Sequence, residues 1–203
     1  DVDSLIRSFG FLRFILLVFS FKYFFEKEDD NFKNNILKIW FIIFSIVSVD
    51  ILIEFTTGSN ILGFSSELNG RIASFTGDEL KIGNYYFGFI LLSLSFFYKN
   101  YFKKHQIFFY ILLLLFMVIS FLIGERSNFI KVFIICSIFI FLIDNQNYLK
   151  KIMIISLFFL ISYATILNNE FYKSRIINEI IIPMKQNGIS NFIYNSRYGK
   201  HYE

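Results

Sequence analysis

Proline and cysteine are almost absent: one of each occurs in 203 residues. The single proline, Pro183, lies late in the chain, so no proline interrupts the apolar runs before it. The single cysteine, Cys136, sits inside an apolar run, and neither a disulfide nor a cysteine–metal framework can be built from it. Two histidines occur without Cys/His ligand spacing, so no metal site and no cofactor is expected. Asp29–Asp30 lacks the spacing of a nucleotide-sugar metal site and lies in a charge-rich link. Also missing are catalytic-triad spacing, a phosphate-cradling glycine loop and a clear internal repeat. Short segments of alternating polarity do not occur, which excludes a membrane β-barrel. Nothing in the pattern points to nucleic acid.

What the chain has instead is apolar mass in blocks. It is 55% hydrophobic, with 30 phenylalanines. Runs near 20 residues long mark membrane spans. The fold class expected is all-α: a polytopic transmembrane bundle of about six spans, near 9–25, 36–55, 82–98, 106–124, 128–143 and 152–167. Residues 1–203 read as one transmembrane domain, an internal piece of a longer protein, with 56–81 as an outward loop and 168–203 as the start of a large outward loop. In the tail, Phe171, Ile176, Ile177, Ile180 and Ile181 are spaced as one helical face. That fits an interfacial helix or an amphipathic helix packed on the bundle, ended or bent at Pro183.

Orientation follows from lysine placement. The first, third and fifth links hold Lys27, Lys33, Lys99, Lys103, Lys104, Lys150 and Lys151 and no arginine, so they are expected on the cytoplasmic side. The remaining loops and both ends then face outward. Every arginine (Arg7, Arg13, Arg71, Arg126, Arg175 and Arg197) falls on or near that outward side. This split is either chance or a preference for the residue that holds phosphate or pyrophosphate bidentately.

Three constellations carry polar chemistry. Arg71 precedes Asp78 and Glu79 by seven and eight residues, with Gly70 and Gly77 free to take positive φ. This is an anion site or a solvated loop with a surface ion pair. Glu125–Arg126 stands at a tight turn between two spans, with Ser127 or Asn128 available to cap the next helix. It reads as a capping turn with a local ion pair, or as a cation at the mouth of a cavity for an anionic headgroup. Asp50 lies inside the outer end of the second span. Its roles there are a base, a partner for Arg71 or Arg126, or a residue wetted at the interface. Arg175 and Arg197 are weaker candidates for the same anion, and His201 is a weak candidate base or a stray polar residue.

The stretch VDILIEFTTGSNILGF (Val49–Phe64), followed by GRIASFTGDELKIGNYYFG (Gly70–Gly88) and FLIGERSNF (Phe121–Phe129), resembles the O-antigen ligase and polymerase family. The resemblance covers about half the chain. It implies a polytopic glycosyltransferase of the bacterial inner membrane, using a polyprenyl-pyrophosphate-linked oligosaccharide donor on the outer face without metal or nucleotide sugar. It implies that Arg71 and Arg126 hold the pyrophosphate, supported by Asp50, Asp78, Glu79 and Glu125, and that the base is a histidine of the large outward loop. A transporter or flippase subunit for an anionic lipid and a non-catalytic membrane scaffold are the alternatives. A transporter is expected to show repeats or interrupted helices.

Overall fold

The structure is a computed structural model. It describes residues 15–16, 18–20, 22–23, 25–65, 70–77, 81–102, 104–143, 148–186 and 188. Among these, all regular structure is helical and no strand occurs. Of the first expected span, the described residues between 15 and 25 are helical. Five long helices follow: α1 (Asp30–Thr57), α2 (Ile82–Tyr101), α3 (Gln106–Leu122), α4 (Arg126–Leu142) and α5 (Tyr148–Asn168). A short α6 (Glu170–Lys173) runs directly into a π-helical segment (Ser174–Ile181), and residues 182–186 are helical again.

The all-helical expectation holds among the described residues, while length and apolarity single out fewer helices than six spans. Among the described residues, two helices are long and apolar enough to cross a membrane, Asp30–Thr57 and Tyr148–Asn168. The reasons are physical. α3 and α4 have 17 residues each, roughly 26 Å at 1.5 Å per residue against a hydrocarbon core of about 30 Å. α2 has 20 residues but carries Asn84, Ser93, Ser95, Lys99 and Asn100, which dilute its apolarity.

α3 explains the packing. It is apolar on every side, with one face packed inward and Ile107, Phe108, Ile111 and Leu115 left exposed on the other. It touches α1, α2, α4 and α5. Its Phe109, Leu113, Phe116, Met117 and Ile119 are fully enclosed. Phe116 meets Phe44 of α1 edge-on at 4.8 Å, and Phe44 in turn packs on Tyr86 of α2 at 4.4 Å. The Tyr86 hydroxyl finds Ser48 at 3.1 Å, so its polar tip is satisfied.

Hairpin packing sorts the connections to two ends. At one end Asn100 of α2 donates to Asn34 of α1 at 2.9 Å. On α5, the buried ammonium of Lys151 caps the last carbonyls of α4, Phe141 at 3.2 Å and Ile143 at 2.7 Å. At the other end the α1–α2 loop, the α3–α4 turn and α6 meet: the Ile72 amide donates to the Ile123 carbonyl at 3.4 Å, and the Phe171 ring lies against Gly70 and Gly124.

Candidate functional site

The α1–α2 loop is built on two acids one helical turn apart. Asp50 and Glu54 both point from the end of α1 into the loop, and both are buried. Asp50 Oδ1 accepts from the Ile61 amide at 2.8 Å, and Oδ2 accepts from the Ser74 hydroxyl at 2.5 Å. Glu54 accepts from the Ala73 and Ser74 amides at 3.1 and 2.6 Å. Asn60 adds a second brace, donating to the Ser74 carbonyl at 2.8 Å and accepting from the Leu62 and Phe64 amides. Ser74 is held at φ 51°, a left-handed conformation that a non-glycine residue keeps only when its surroundings enforce it.

Two expectations for Asp50 therefore change. It is fully enclosed rather than wet. Its oxygens serve the loop that carries Arg71 rather than an arginine itself. Glu54, which the sequence reading left out of the site, is its equal in this role. The signal was present: two acids four residues apart at the end of an apolar helix.

The same end of the bundle gathers three arginines from three segments. Arg71 follows Gly70 in the loop, Arg126 opens α4, and Arg175 lies in the π segment. Gly70 and Gly124 make this approach possible. A Cβ on Gly70 would overlap the Phe171 ring, one on Gly124 would press it at 3.2 Å, and both residues have φ near +80°. Tyr172 secures the tail, donating its hydroxyl to the Leu122 carbonyl at 2.5 Å and stacking on Phe121 at 5.2 Å. Burial raises the Tyr172 pKa, which keeps the phenol a donor.

Arg175 lies over the Phe171 ring, 5.2 Å from its centre, and donates to the Gly124 carbonyl at 2.9 Å. Its pKa is lowered, first by partial burial and then by the like charges of Arg71 and Arg126. Arg126 pairs with Glu179 of the π segment. Hydrogen bonding from Arg126 holds the Glu179 carboxyl below its ordinary range, and Arg175 and Arg71 act in the same direction. The buried Nε of Arg126 has no hydrogen-bond partner. A cavity of about 260 Å³ opens beside these groups, lined by Phe121, Phe129, Phe171, Ile176 and Ile180, with Glu125, Arg126 and Arg175 also on its wall.

The Glu125–Arg126 turn is not the expected capping turn with a local ion pair, while Arg126 does stand on the wall of a cavity. Helix α4 begins at Arg126 itself, so Ser127 and Asn128 lie inside it and Glu125 is the N-cap residue. The Glu125 side chain makes no capping bond to the backbone. It binds the side-chain amide of Asn128 instead, while Arg126 looks across to Glu179. Of the two outcomes expected at Pro183, an end or a bend, the helix does not end there: helical backbone continues through Pro183 to residue 186. The π segment ends two residues earlier, where the ring and missing N–H of a proline disturb an α-helical ladder. Asp78, Glu79, Arg197 and His201 lie outside the described residues.

Comparison with protein-family models, with curated proteins and with solved structures finds no match for this chain.

Proposed function

We propose that the chain belongs to a polytopic membrane glycosyltransferase, a polysaccharide polymerase or O-antigen-type ligase, and that its arginine cluster holds the pyrophosphate of a polyprenyl-linked glycan donor. One observation carries the reading. Arg126 and Arg175 come from separate segments and line an apolar cavity at one end of a helical bundle, and the loop that carries Arg71 is bound to the same end through Gly70 and Ile72. Bringing like charges together is unfavourable without an anion, and of the carboxylates nearby, Glu179 is the one that pairs with Arg126. A pyrophosphate with an isoprenoid tail matches such a place: guanidinium forks take phosphate oxygens two at a time, and the apolar wall takes carbon.

Charge that develops on the pyrophosphate as the sugar–phosphate bond breaks is stabilised by the same donors, so the contact acts on rate as well as binding. The lysine-only links favour an outward site on the bacterial inner membrane. The apolar faces that α1, α4 and α5 turn outward support a lipid setting. The described long helices run without interruption, which favours the enzyme over a transporter built on broken helices.

The test replaces Arg71 and Arg126 by Lys in the full-length protein, in cells lacking the native copy and at matched membrane levels. Lysine keeps the charge and loses the fork. The glycan ladder should fall at least about tenfold for each variant, about the effect of losing one charge-assisted hydrogen bond. Normal ladders from both variants would remove the pyrophosphate clamp.

A further inference from the structure

Asp50 stands in line with an apolar stripe. Ile39, Ile43 and Ile46 run along one face of α1, each at least 40% exposed. At about 100° per residue, Asp50 falls on that face one turn beyond Ile46. An acid there would meet whatever covers the stripe, yet Asp50 is fully enclosed. The α1–α2 loop encloses it by folding back along the helix. α1 ends at Thr57, and Gly58 turns the chain at φ 82°. Three residues further on, the Ile61 amide donates to Asp50 Oδ1 at 2.8 Å. Asp50 lies seven residues before Thr57, so the chain has come back roughly 10 Å along α1 at 1.5 Å per residue.

The turn that arrives there has its amides satisfied from within. The Asn60 amide closes its neck on the Phe64 carbonyl at 2.8 Å. Asp50 takes the Ile61 amide, and the Asn60 side-chain oxygen takes those of Leu62 and Phe64 at 3.0 and 2.9 Å. The Asn60 carbonyl takes the Gly63 amide at 2.9 Å. Asn60 itself is buried, whereas Ile61 and Leu62 are left 54% and 63% exposed at the tip. Lipid cannot satisfy free amides, and from Ile61 to Phe64 this turn has none. Large apolar side chains held outward on such a turn suit the boundary between headgroups and acyl chains, where an apolar face buries about 5–10 Å deep.

We propose that Ile61 and Leu62 anchor the α1–α2 loop in the outward leaflet of a bilayer, at the boundary between headgroups and acyl chains. The proposal rests on the lipid setting read above. Continuity selects the occupant: lipid lying on the Ile39–Ile46 stripe meets the tip one turn further along α1, with Asp50 hidden beneath it. The anchor also sets a depth. Asp50 Oδ2 accepts from the Ser74 hydroxyl at 2.5 Å, so the part of the loop that carries Arg71 is tied to the same level, close to lipid phosphates.

The experiment uses the full-length protein, its other reactive cysteines replaced, in vesicles of phosphatidylethanolamine and phosphatidylglycerol. A nitroxide is attached at Ile61→Cys or Leu62→Cys. Ile43→Cys serves as the lipid reference and Lys104→Cys as the water reference, both at exposed positions. Collisions of the label with oxygen, which enters hydrocarbon, are compared with collisions with a polar nickel chelate, which does not. The oxygen-to-nickel ratio at both tip positions should lie at least about tenfold above that at Lys104, because moving a polar solute into an apolar medium is strongly unfavourable. Tip ratios close to that at Lys104, with Ile43 well above it, overturn the anchor and put the tip in water. Labels shielded from both reagents overturn it too, by putting a protein surface over the tip. A ratio at Ile43 that matches Lys104 instead removes the lipid setting on which the proposal rests.

Discussion

Glu54 shows how a buried charge is made stable and what depends on it. Its two oxygens take two backbone amides, Ala73 and Ser74, that would otherwise be buried without partners. Glu54→Gln exchanges one acceptor oxygen for an NH2 group, so a donor then faces one of those amides. Leaving a buried donor unpaired costs roughly 1–3 kcal/mol. The variant should therefore unfold at a lower temperature in detergent, and hydrogen exchange should rise first at residues 72–74. Unchanged exchange there would show that the loop holds without Glu54. Glu179 is the opposite case, exposed on the tail and engaged with Arg126. It competes with any incoming anion for that guanidinium. Glu179→Gln should therefore tighten binding of inorganic pyrophosphate several-fold, with little change in thermal stability, because exposed ion pairs contribute little. Weaker binding in this variant would mean that Glu179 orients Arg126 for the ligand rather than competing with it.

Between elements, the decisive contact is the Phe171 ring against Gly70 and Gly124. It locks loop, turn and tail together and brings Arg175 to the other two arginines. Gly70→Ala introduces a methyl group into the space of the ring and strains a residue at φ 79°. Overpacking and left-handed strain together cost about 2–4 kcal/mol. The tail should detach before the bundle unfolds, read as faster proteolysis after Lys173 and Arg175 with the long helices intact. Equal protease resistance would show that the ring shifts without releasing the tail.

This contact was hard to read from the sequence, because it joins residues about 50 and 100 positions apart. Helices α2 to α5 were legible within a few residues of their ends, since blocked apolar runs leave few alternatives. α1 was misjudged at its start: it begins at Asp30, six residues before the first apolar residue of the run, because Asp30 suits a helix N-terminus and the polar turns continue the helix. Of the arginines grouped by the lysine pattern, Arg71, Arg126 and Arg175 lie among the described residues, and their segments meet at one end of the bundle. The partners of Asp50, Arg126 and Glu125 were not legible, since hydrogen-bond direction depends on tertiary approach. Local signals existed in the pairing of Asp50 with Glu54 four residues on and in the Glu125–Asn128–Lys131 spacing of three.

Among the described residues, α1 and α4 turn apolar stripes outward. Ile39, Ile42, Ile43, Ile46 and Val49 form a stripe on α1, each at least 40% exposed, and Ile130, Ile134, Ile138 and Phe141 repeat the pattern on α4. Contiguous apolar stripes of this kind are rare on proteins surrounded by water. In lipid they need no cover. Phe64 at the arginine end and Lys104 at the lysine end are both exposed, and lysine excess in short links marks the cytoplasmic side. In intact cells an impermeant maleimide should label Phe64→Cys, and it should reach Lys104→Cys only after the membrane is permeabilised. The native Cys136 is fully buried and stays silent. Labelling of Lys104→Cys alone from outside would invert the molecule and put the arginines in the cytoplasm, where an outward-facing glycan donor could not reach them. Labelling of both from outside would mean that the bundle does not separate its two ends across a membrane.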